Sequence, residues 1–529
     1  MILGTLLYNS QRANFRLSTT LMRAYGSLAK RSLSGAPIPQ GNALVQPTDN
    51  LTPIDESLTG ISFTFRSEAA ATTPTIPHLP IVDSLKNTNL AIQVSKLVKQ
   101  EKPYLIATLH AFQTNASFFK FLIESLNFDP KKMHISDKFY STSPSWGIFM
   151  RQLGVNYYEV PPPGILGGYD TTFSYSLKKM WKEVRWQIAQ DKNPSPKIIA
   201  LSDGGDLLKL TPADLRVMRM GGVEQTTAGL GKINEVLFPV ADMASSAAKK
   251  FLESFLIAED LFLHAKPYLA KESHPSTKTC GIIGNGTIGT ALARYLIKLG
   301  FNVWVYDKSP HAFAKVRNNV IVCNSAKTLL ENCDYAFGCT GGSVFAQNNI
   351  DSEQFILTRE KDITFFSCSS SIVEWEDIIY AIRRNTDTGK GRLEIPPMSN
   401  VNYITLKDAR VIVANMGYPI NFNRQEETIP VKAIDLTRSL MTIGTMQAYI
   451  KARSPIADGY TVNQPERLPL DPQLQKYVVQ QWLKNQPAHF FPEELVQQFN
   501  DENWIAENSQ SKRDTNCPYP SFPESKSLS

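Results

Sequence analysis

The residues best suited to chemistry lie between Cys280 and Asp307, in CGIIGNGTIGTALARYLIKLGFNVWVYD. Gly284, Gly286 and Gly289 stand at the spacing G-x-G-x-x-G, after an apolar run and before a helical one. In such a turn the first glycine permits the tight bend, and the second lets backbone approach a pyrophosphate. The third lets the helix sit close against the strand. The start of the helix then offers free N–H groups and the positive end of its dipole to phosphates. Gly284, Asn285, Gly286, Thr287, Ile288 and Gly289 are therefore read as one phosphate-holding loop. Asp307 ends the next strand, 18 residues beyond Gly289. A carboxylate there would hold the adenosine ribose hydroxyls and repel a 2′-phosphate, which predicts NAD rather than NADP as cofactor. A glycine turn alone is weak evidence; here strand, helix, second strand and acid follow in order.

The elements that must carry this loop form two series. Ile288, Leu292, Tyr295 and Leu299 give the helix an apolar face, and Gly300 ends it. Later strands are expected at 320–322, 335–339, 363–367 and 410–414. An earlier series has strands at 104–110, 156–160 and 196–201, the last running into SDGGD. Alternating strands and helices imply parallel sheets covered on both faces. Between the series, residues 244–266 lack Gly and Pro and read as one long helix. The expected fold is α/β, with two doubly wound parallel-sheet (Rossmann-like) domains. A substrate-type domain at 81–240, completed by 417–450, would receive an inserted NAD-binding domain at 241–416, with a C-terminal extension at 451–529.

Charge is concentrated at the beginning. Residues 1–48 hold Arg12, Arg16, Arg23, Lys30 and Arg31 and no acid, and the rest of the chain carries 50 basic against 49 acidic residues. The body therefore offers no broad cationic surface for nucleic acid. An Arg- and Ser-rich, acid-free arm fits either a mitochondrial transit peptide or a disordered tail, so mitochondrial matrix and cytoplasm both stand as locations. Residues 49–80, rich in Thr, Pro and Ser, read as a linker. No run reaches the roughly 18 apolar residues of a spanning helix, so no membrane partner is expected. The six cysteines form no C-x-x-C pair and the seven histidines show no metal spacing. They read as reduced thiols, with no metal site.

LSDGGDLLKL (201–210), GGVEQTTAGL (221–230), the glycine loop, FGCTGG (337–342) and NMGYP (415–419) follow one another in an order that resembles S-adenosylhomocysteine hydrolase. ATLHAFQTNASFF (107–119) and GYTVNQPERL (459–468) extend the resemblance to residues 81–485. It implies catalytic roles for His110 and Asp203 and cofactor contacts from Thr226, Thr227 and Thr340. It also places Gln225 at a substrate-binding glutamate's position, where an amide can hydrogen-bond but cannot act as a base. D-2-hydroxyacid dehydrogenases are the rival, with a similar glycine loop, but they leave DGGD and EQTTAG unexplained.

The same resemblance implies losses. Its register places Ala248, Leu252 and Glu253 where the family has lysine, aspartate and asparagine; Lys249 and Glu253 could replace the first pair only after a one-residue shift, about 100° of helix rotation. Ser371 and Tyr418 stand where the family has histidines. The expectation is an NAD-binding homologue of the hydrolase, a pseudoenzyme or regulatory nucleotide binder that takes a nucleoside without ordinary hydrolase turnover and forms a homo-oligomer. An active hydrolase, or an NAD enzyme of altered chemistry on a nucleoside, is the alternative.

Overall fold

The computed structural model describes residues 74–509 except 162–168, 194, 217–218, 270–273, 310–319, 370–371, 388–391, 395–400, 406–408, 423, 454–465, 487–490 and 492. The basic arm at 1–48 and most of the expected linker lie outside the described residues.

Six strands come first: β1 (Tyr104–Thr108), β2 (Met133–Ser136), β3 (Asn156–Tyr158), β4 (Ile198–Ser202), β5 (Met220–Glu224) and β6 (Val240–Asp242). Then follow β7 (Thr279–Ile283), β8 (Asn302–Tyr306), β9 (Val320–Val322), β10 (Tyr335–Gly338), β11 (Ile363–Ser367), β12 (Arg392–Glu394), β13 (Val401–Thr405), β14 (Arg410–Ala414) and, last, β15 (Arg467–Pro469). The first sheet runs β15-β6-β5-β4-β1-β2-β3, all parallel. The second runs β12-β13-β14-β11-β10-β7-β8-β9, parallel except along the β12–β13–β14 edge. The fold is α/β with two Rossmann-type sheets. Central strands such as YLIAT and IIALS are buried throughout, as strands covered on both faces must be.

In both sheets the strand order reverses beside the first strand, between β1 and β4 and between β7 and β10. At such a point the connections leave for opposite faces and open a crevice beyond the carboxyl ends of the strands. Topology alone therefore marks two places: the residues after Thr108 and Ser202, and those after Ile283 and Gly338.

Five helices matter to the site: α1 (Gln113–Glu124), α2 (Ser254–Leu269), α3 (Thr287–Lys298), α4 (Val431–Ala452) and α5 (Pro472–Leu483). α4 is buried on nearly every side, and it packs on β4, β5 and β6 and against α1 and α5. The expected C-terminal extension needs correction here. β15 pairs with β6, Trp482 on α5 donates its indole N–H to the Ala433 carbonyl at 2.9 Å, and Leu470, Val478, Leu495, Phe499 and Ile505 join the first core. The described residues between 467 and 509 thus pack with the first sheet. A three-residue edge strand is too short for any alternation to reveal it.

The long helix at 244–266 is also not uniform. Lys249–Glu253 form a π turn that leads into α2. A π turn carries one extra residue, so it rotates the register that a straight helix would have. Ala248 and Leu252, expected to face the site, are instead fully buried in the first core. α2 then crosses into the second core through Ala258, Leu261 and Ala265. The chain returns after β14 by a sharp turn in which Asn415, Met416 and Gly417 all have positive φ. Asn421 on the return donates its amide to Asp260 Oδ2 on α2 at 2.9 Å, tying the two crossings together.

Among the described residues no helix is long and apolar enough to cross a membrane, and no three His, Cys, Asp or Glu side chains gather as a metal-binding group.

Candidate functional site

The glycine loop divides its tasks among its glycines. At Gly284, φ is +98°, and a Cβ there would lie 2.5 Å from the Cys339 carbonyl oxygen. At Gly289 a Cβ would lie 2.0 Å from the Gly284 oxygen, so α3 can approach β7 only without one. A Cβ on Gly286 would meet nothing within 4 Å; this side of the loop is open. Gly286 precedes α3 without a side-chain cap, leaving the helix start facing that opening. Thr287 and Ile288 form the first turn of α3, and Thr290 donates its hydroxyl to the Asn285 carbonyl at 3.3 Å. Asp307 Oδ2 accepts the Asn285 N–H at 2.7 Å, and its Oδ1 accepts the Ser309 N–H at 2.8 Å. The acid is thereby fixed beside the loop, as a ribose ligand must be. These residues fit a dinucleotide. NAD is expected to bind roughly tenfold or more tightly than NADP, because a 2′-phosphate would face the Asp307 carboxylate. Titration of both dinucleotides checks this, and equal affinities would remove Asp307 from the ribose.

Across from Gly284, Thr340 serves its own turn. Its N–H donates to Glu374 Oε1 and its hydroxyl to the Gly342 carbonyl, each at 2.6 Å. Gly341 meets the first domain: a Cβ on it would lie 3.8 Å from the Ala228 Cβ. The turn holding Gln225, Thr226 and exposed Thr227 therefore comes close to the turn after β10. Thr226 does not offer a free hydroxyl, since it donates to Glu224 Oε1 at 2.6 Å and accepts the Gly229 N–H at 3.0 Å.

The first sheet's crevice holds a charged cluster. His110 follows β1 and Asp203 follows β4, and His110 Nε2 lies 3.2 Å from Asp203 Oδ2. Lys138 Nζ lies 2.7 Å from Asp203 Oδ1, and the Gln225 amide donates to Oδ2. Burial alone would raise the Asp203 carboxyl, but Lys138, His110 and Lys249 hold it well below the usual range. Gln225 Oε1 is buried and has no hydrogen-bond partner among the described residues. His110 Nδ1 sits 2.7 Å from Ser141 Oγ, and its ring packs 4.1 Å from Phe422 on the return crossing. Tyr418 stacks on Tyr140 at 5.0 Å. Ser371 lies outside the described residues.

The π turn brings in a pair that the expected register excluded. Lys249 Nζ lies 2.6 and 2.7 Å from the Glu253 carboxylate oxygens, and its charge acts on both His110 and Asp203. Exposure separates the roles. The Lys249 side chain is 20% exposed, against 4% for Lys138 and 1% for Asp203. Lys138, Phe422 and Arg438 were also missed. Arg438 on α4 donates from Nε to Thr114 Oγ1 at 3.2 Å and is buried beneath the cluster. No local sequence signal marks these three: Lys138 is brought near by following β2, which pairs with β1, Arg438 by the packing of α4, and Phe422 by the return crossing.

Two buried histidines give the fold an acid limit. Burial pushes His110 down to about 3, and pushes His134, held by Tyr158 and Gln187, down to about 4. Unfolded, each takes its proton near pH 6.5. Their folded values are depressed, so the stability they allow is present above pH 6.5 and is lost as pH falls toward those values. At pH 5 the loss is about 2 kcal/mol for each histidine. Thermal unfolding should show Tm falling from pH 7 to pH 5, with a shallower slope in His134→Gln. An unchanged slope would mean His134 is protonated in the fold.

Residues 260–391, about a quarter of the chain, match the family model described as D-isomer specific 2-hydroxyacid dehydrogenase, NAD binding domain. The cofactor is NAD. This match overturns the expected kinship with S-adenosylhomocysteine hydrolase, and the expectation of a hydrolase-like nucleoside binder falls with it. The physical reason lies in the motifs used: DGGD, EQTTAG and FGCTGG sit at the ends of β4, β5 and β10, where small and polar turn residues suit a doubly wound sheet whatever its family. No curated protein sequence matches the chain. Solved structures similar to it include a glyoxylate reductase from Paecilomyes thermophila, at 13% identity and TM-score 0.33, covering 68% of this chain and 98% of that one. A D-lactate dehydrogenase from Aquifex aeolicus complexed with NAD and lactic acid matches at 16% identity and TM-score 0.29, covering 54% and 74%. An NAD+-bound 3-phosphoglycerate dehydrogenase from Entamoeba histolytica matches at 14% and 0.31, covering 68% and 98%. Scores this low carry no argument of their own.

Proposed function

We propose that this protein is an NAD-dependent oxidoreductase that interconverts the hydroxyl and carbonyl of a small 2-hydroxy acid. The observation that carries the reading is the pairing of two crevices. A dinucleotide loop lies at the switch point of one sheet and a charged cluster at the switch point of the other, and the turns after β10 and β5 approach so closely that a Cβ built on Gly341 would lie 3.8 Å from the Ala228 Cβ. The choice of substrate class is supported by the match of residues 260–391 to the NAD binding domain of D-isomer specific 2-hydroxyacid dehydrogenases. Bound NAD would supply the hydride acceptor or donor.

The chain's own residues would do the rest. Lys249 is the cation of the cluster best able to reach a substrate oxygen, and Glu253 holds its ammonium in place. A fixed ammonium beside a carbonyl oxygen stabilises the negative charge that develops there and can pass it a proton. Asp203, saturated by Lys138, His110 and Gln225, serves as a rigid wall and not as a proton carrier. The partnerless Gln225 Oε1 would accept a substrate hydroxyl.

The test follows nicotinamide absorbance with a panel of 2-oxo acids, for the natural protein and for Lys249→Met. Turnover should fall roughly a hundredfold or more in the variant while NAD still binds. Normal turnover in Lys249→Met would discard the role of the lysine. Absence of turnover with every 2-oxo acid, in protein that binds NAD, would discard the substrate class.

A further inference from the structure

Cys339 and Cys368 stand side by side at the floor of the cofactor crevice. β10 and β11 run parallel with Gly338 opposite Ser367, so the next residues, Cys339 and Cys368, are opposite one another. The Cys368 N–H donates to the Gly338 carbonyl at 2.9 Å, which continues the ladder to this point. Parallel neighbours lie about 4.8 Å apart, inside the roughly 4.4–6.8 Å window of Cα separations that a disulfide spans. Cys368 is buried, its thiol pushed up by burial and hydrogen-bonded to Cys339; Cys339 is half-buried.

The pair is coupled to the cofactor loop from two sides. The Cys339 carbonyl is the group against which Gly284 is packed. Glu374, fully buried, accepts the N–H groups of Cys368, Thr340 and Gly341 and the hydroxyls of Ser367 and Ser369. One carboxylate thus fixes both thiol-bearing strand ends and the first residues of the turn beyond Cys339.

We propose that Cys339 and Cys368 are a redox modification site, closed to a disulfide by a hydroperoxide, and that closure weakens NAD binding. The more exposed Cys339 sulfur attacks the outer peroxide oxygen; the O–O bond breaks, the alcohol or water leaves with a proton, and Cys339 becomes a sulfenic acid. The Cys368 thiol then loses its proton and attacks the Cys339 sulfur, expelling water. Two thiols and one hydroperoxide give one disulfide, one alcohol and one water. Closing the bond draws two sulfurs from thiol contact to about 2.05 Å. That shift displaces the Cys339 carbonyl from Gly284 and the Thr340–Gly341 backbone from Glu374. The proposal rests on the NAD site and is independent of the substrate reading.

The experiment exposes the full chain to hydrogen peroxide with and without saturating NAD, then measures intact mass, disulfide-mapped peptides and NAD affinity. The expected result is a loss of two hydrogens mapped to Cys339–Cys368, and slower modification with NAD present. NAD affinity should fall roughly tenfold or more, reversibly with a dithiol. Cys368→Ser should instead leave Cys339 as a sulfenic acid that a cyclic dione captures. A disulfide mapped to other cysteines, or oxidised protein that binds NAD as tightly as reduced protein, would overturn the proposal.

Discussion

Gly286→Val is expected to abolish NAD binding while leaving the melting temperature nearly unchanged, and Gly289→Val is expected to lose both. The two glycines are three residues apart and look alike in the sequence. Their surroundings differ. A side chain at Gly286, where φ is −72°, enters open space on the side from which a pyrophosphate must come. A side chain at Gly289 would collide with the Gly284 carbonyl at 2.0 Å, and because the obstacle is backbone there is no cheap way to relax. Pushing α3 off β7 should destabilise the second domain by about 3 kcal/mol. Calorimetric titration of NAD, paired with thermal unfolding, separates the two outcomes. A folded Gly286→Val protein that binds NAD normally would show that the pyrophosphate does not lie against this loop.

Asp203→Ala should be the most damaging single change in the first domain. It strips the partner from Lys138, which is 4% exposed, and leaves His110 and Gln225 without their shared acceptor. Removing one member of a buried ion pair typically destabilises by about 3–5 kcal/mol, because the remaining charge is neither solvated nor paired. Asp203→Asn keeps the shape and part of the hydrogen bonding, so it should fold better than the alanine variant while still losing the charge that balances Lys138 and Lys249. Urea unfolding of the two variants measures the difference. An alanine variant as stable as the natural protein would mean that water reaches Lys138.

The sequence made some of this legible. β11 and β14 lie at 363–367 and 410–414, where continuous apolar runs put them. The glycine loop and Asp307 were readable because each residue answers a local requirement: a turn, a close approach, a strand end. His110, Asp203 and Gln225, named from the resemblance, lie together in the structure. What was lost depends on packing at a distance. β2, β6 and β15 have three or four residues each, too few for periodicity to register. Lys249 and Glu253 were admitted as a pair only after a one-residue shift, because the register implied by the resemblance put Ala248 and Leu252 on the site's face and nothing in KKFLE announces a π turn. The family assignment failed for a related reason: turns demanded by topology were treated as marks of ancestry.

The late position of α4 has a consequence for how the molecule is made. The first sheet's strands β1 to β6 are synthesised by residue 242, yet the helix that fills their core spans Val431–Ala452, and β15 and α5 come later still. On the ribosome the nucleotide domain, contiguous from β7 to β14, has all its partners before the earlier domain has its own. Domains fold as units when their parts are available, and long-range closure is slow. The domain begun first is therefore finished last, and its half-made apolar sheet is the surface a nascent chain must keep from other chains until α4 arrives.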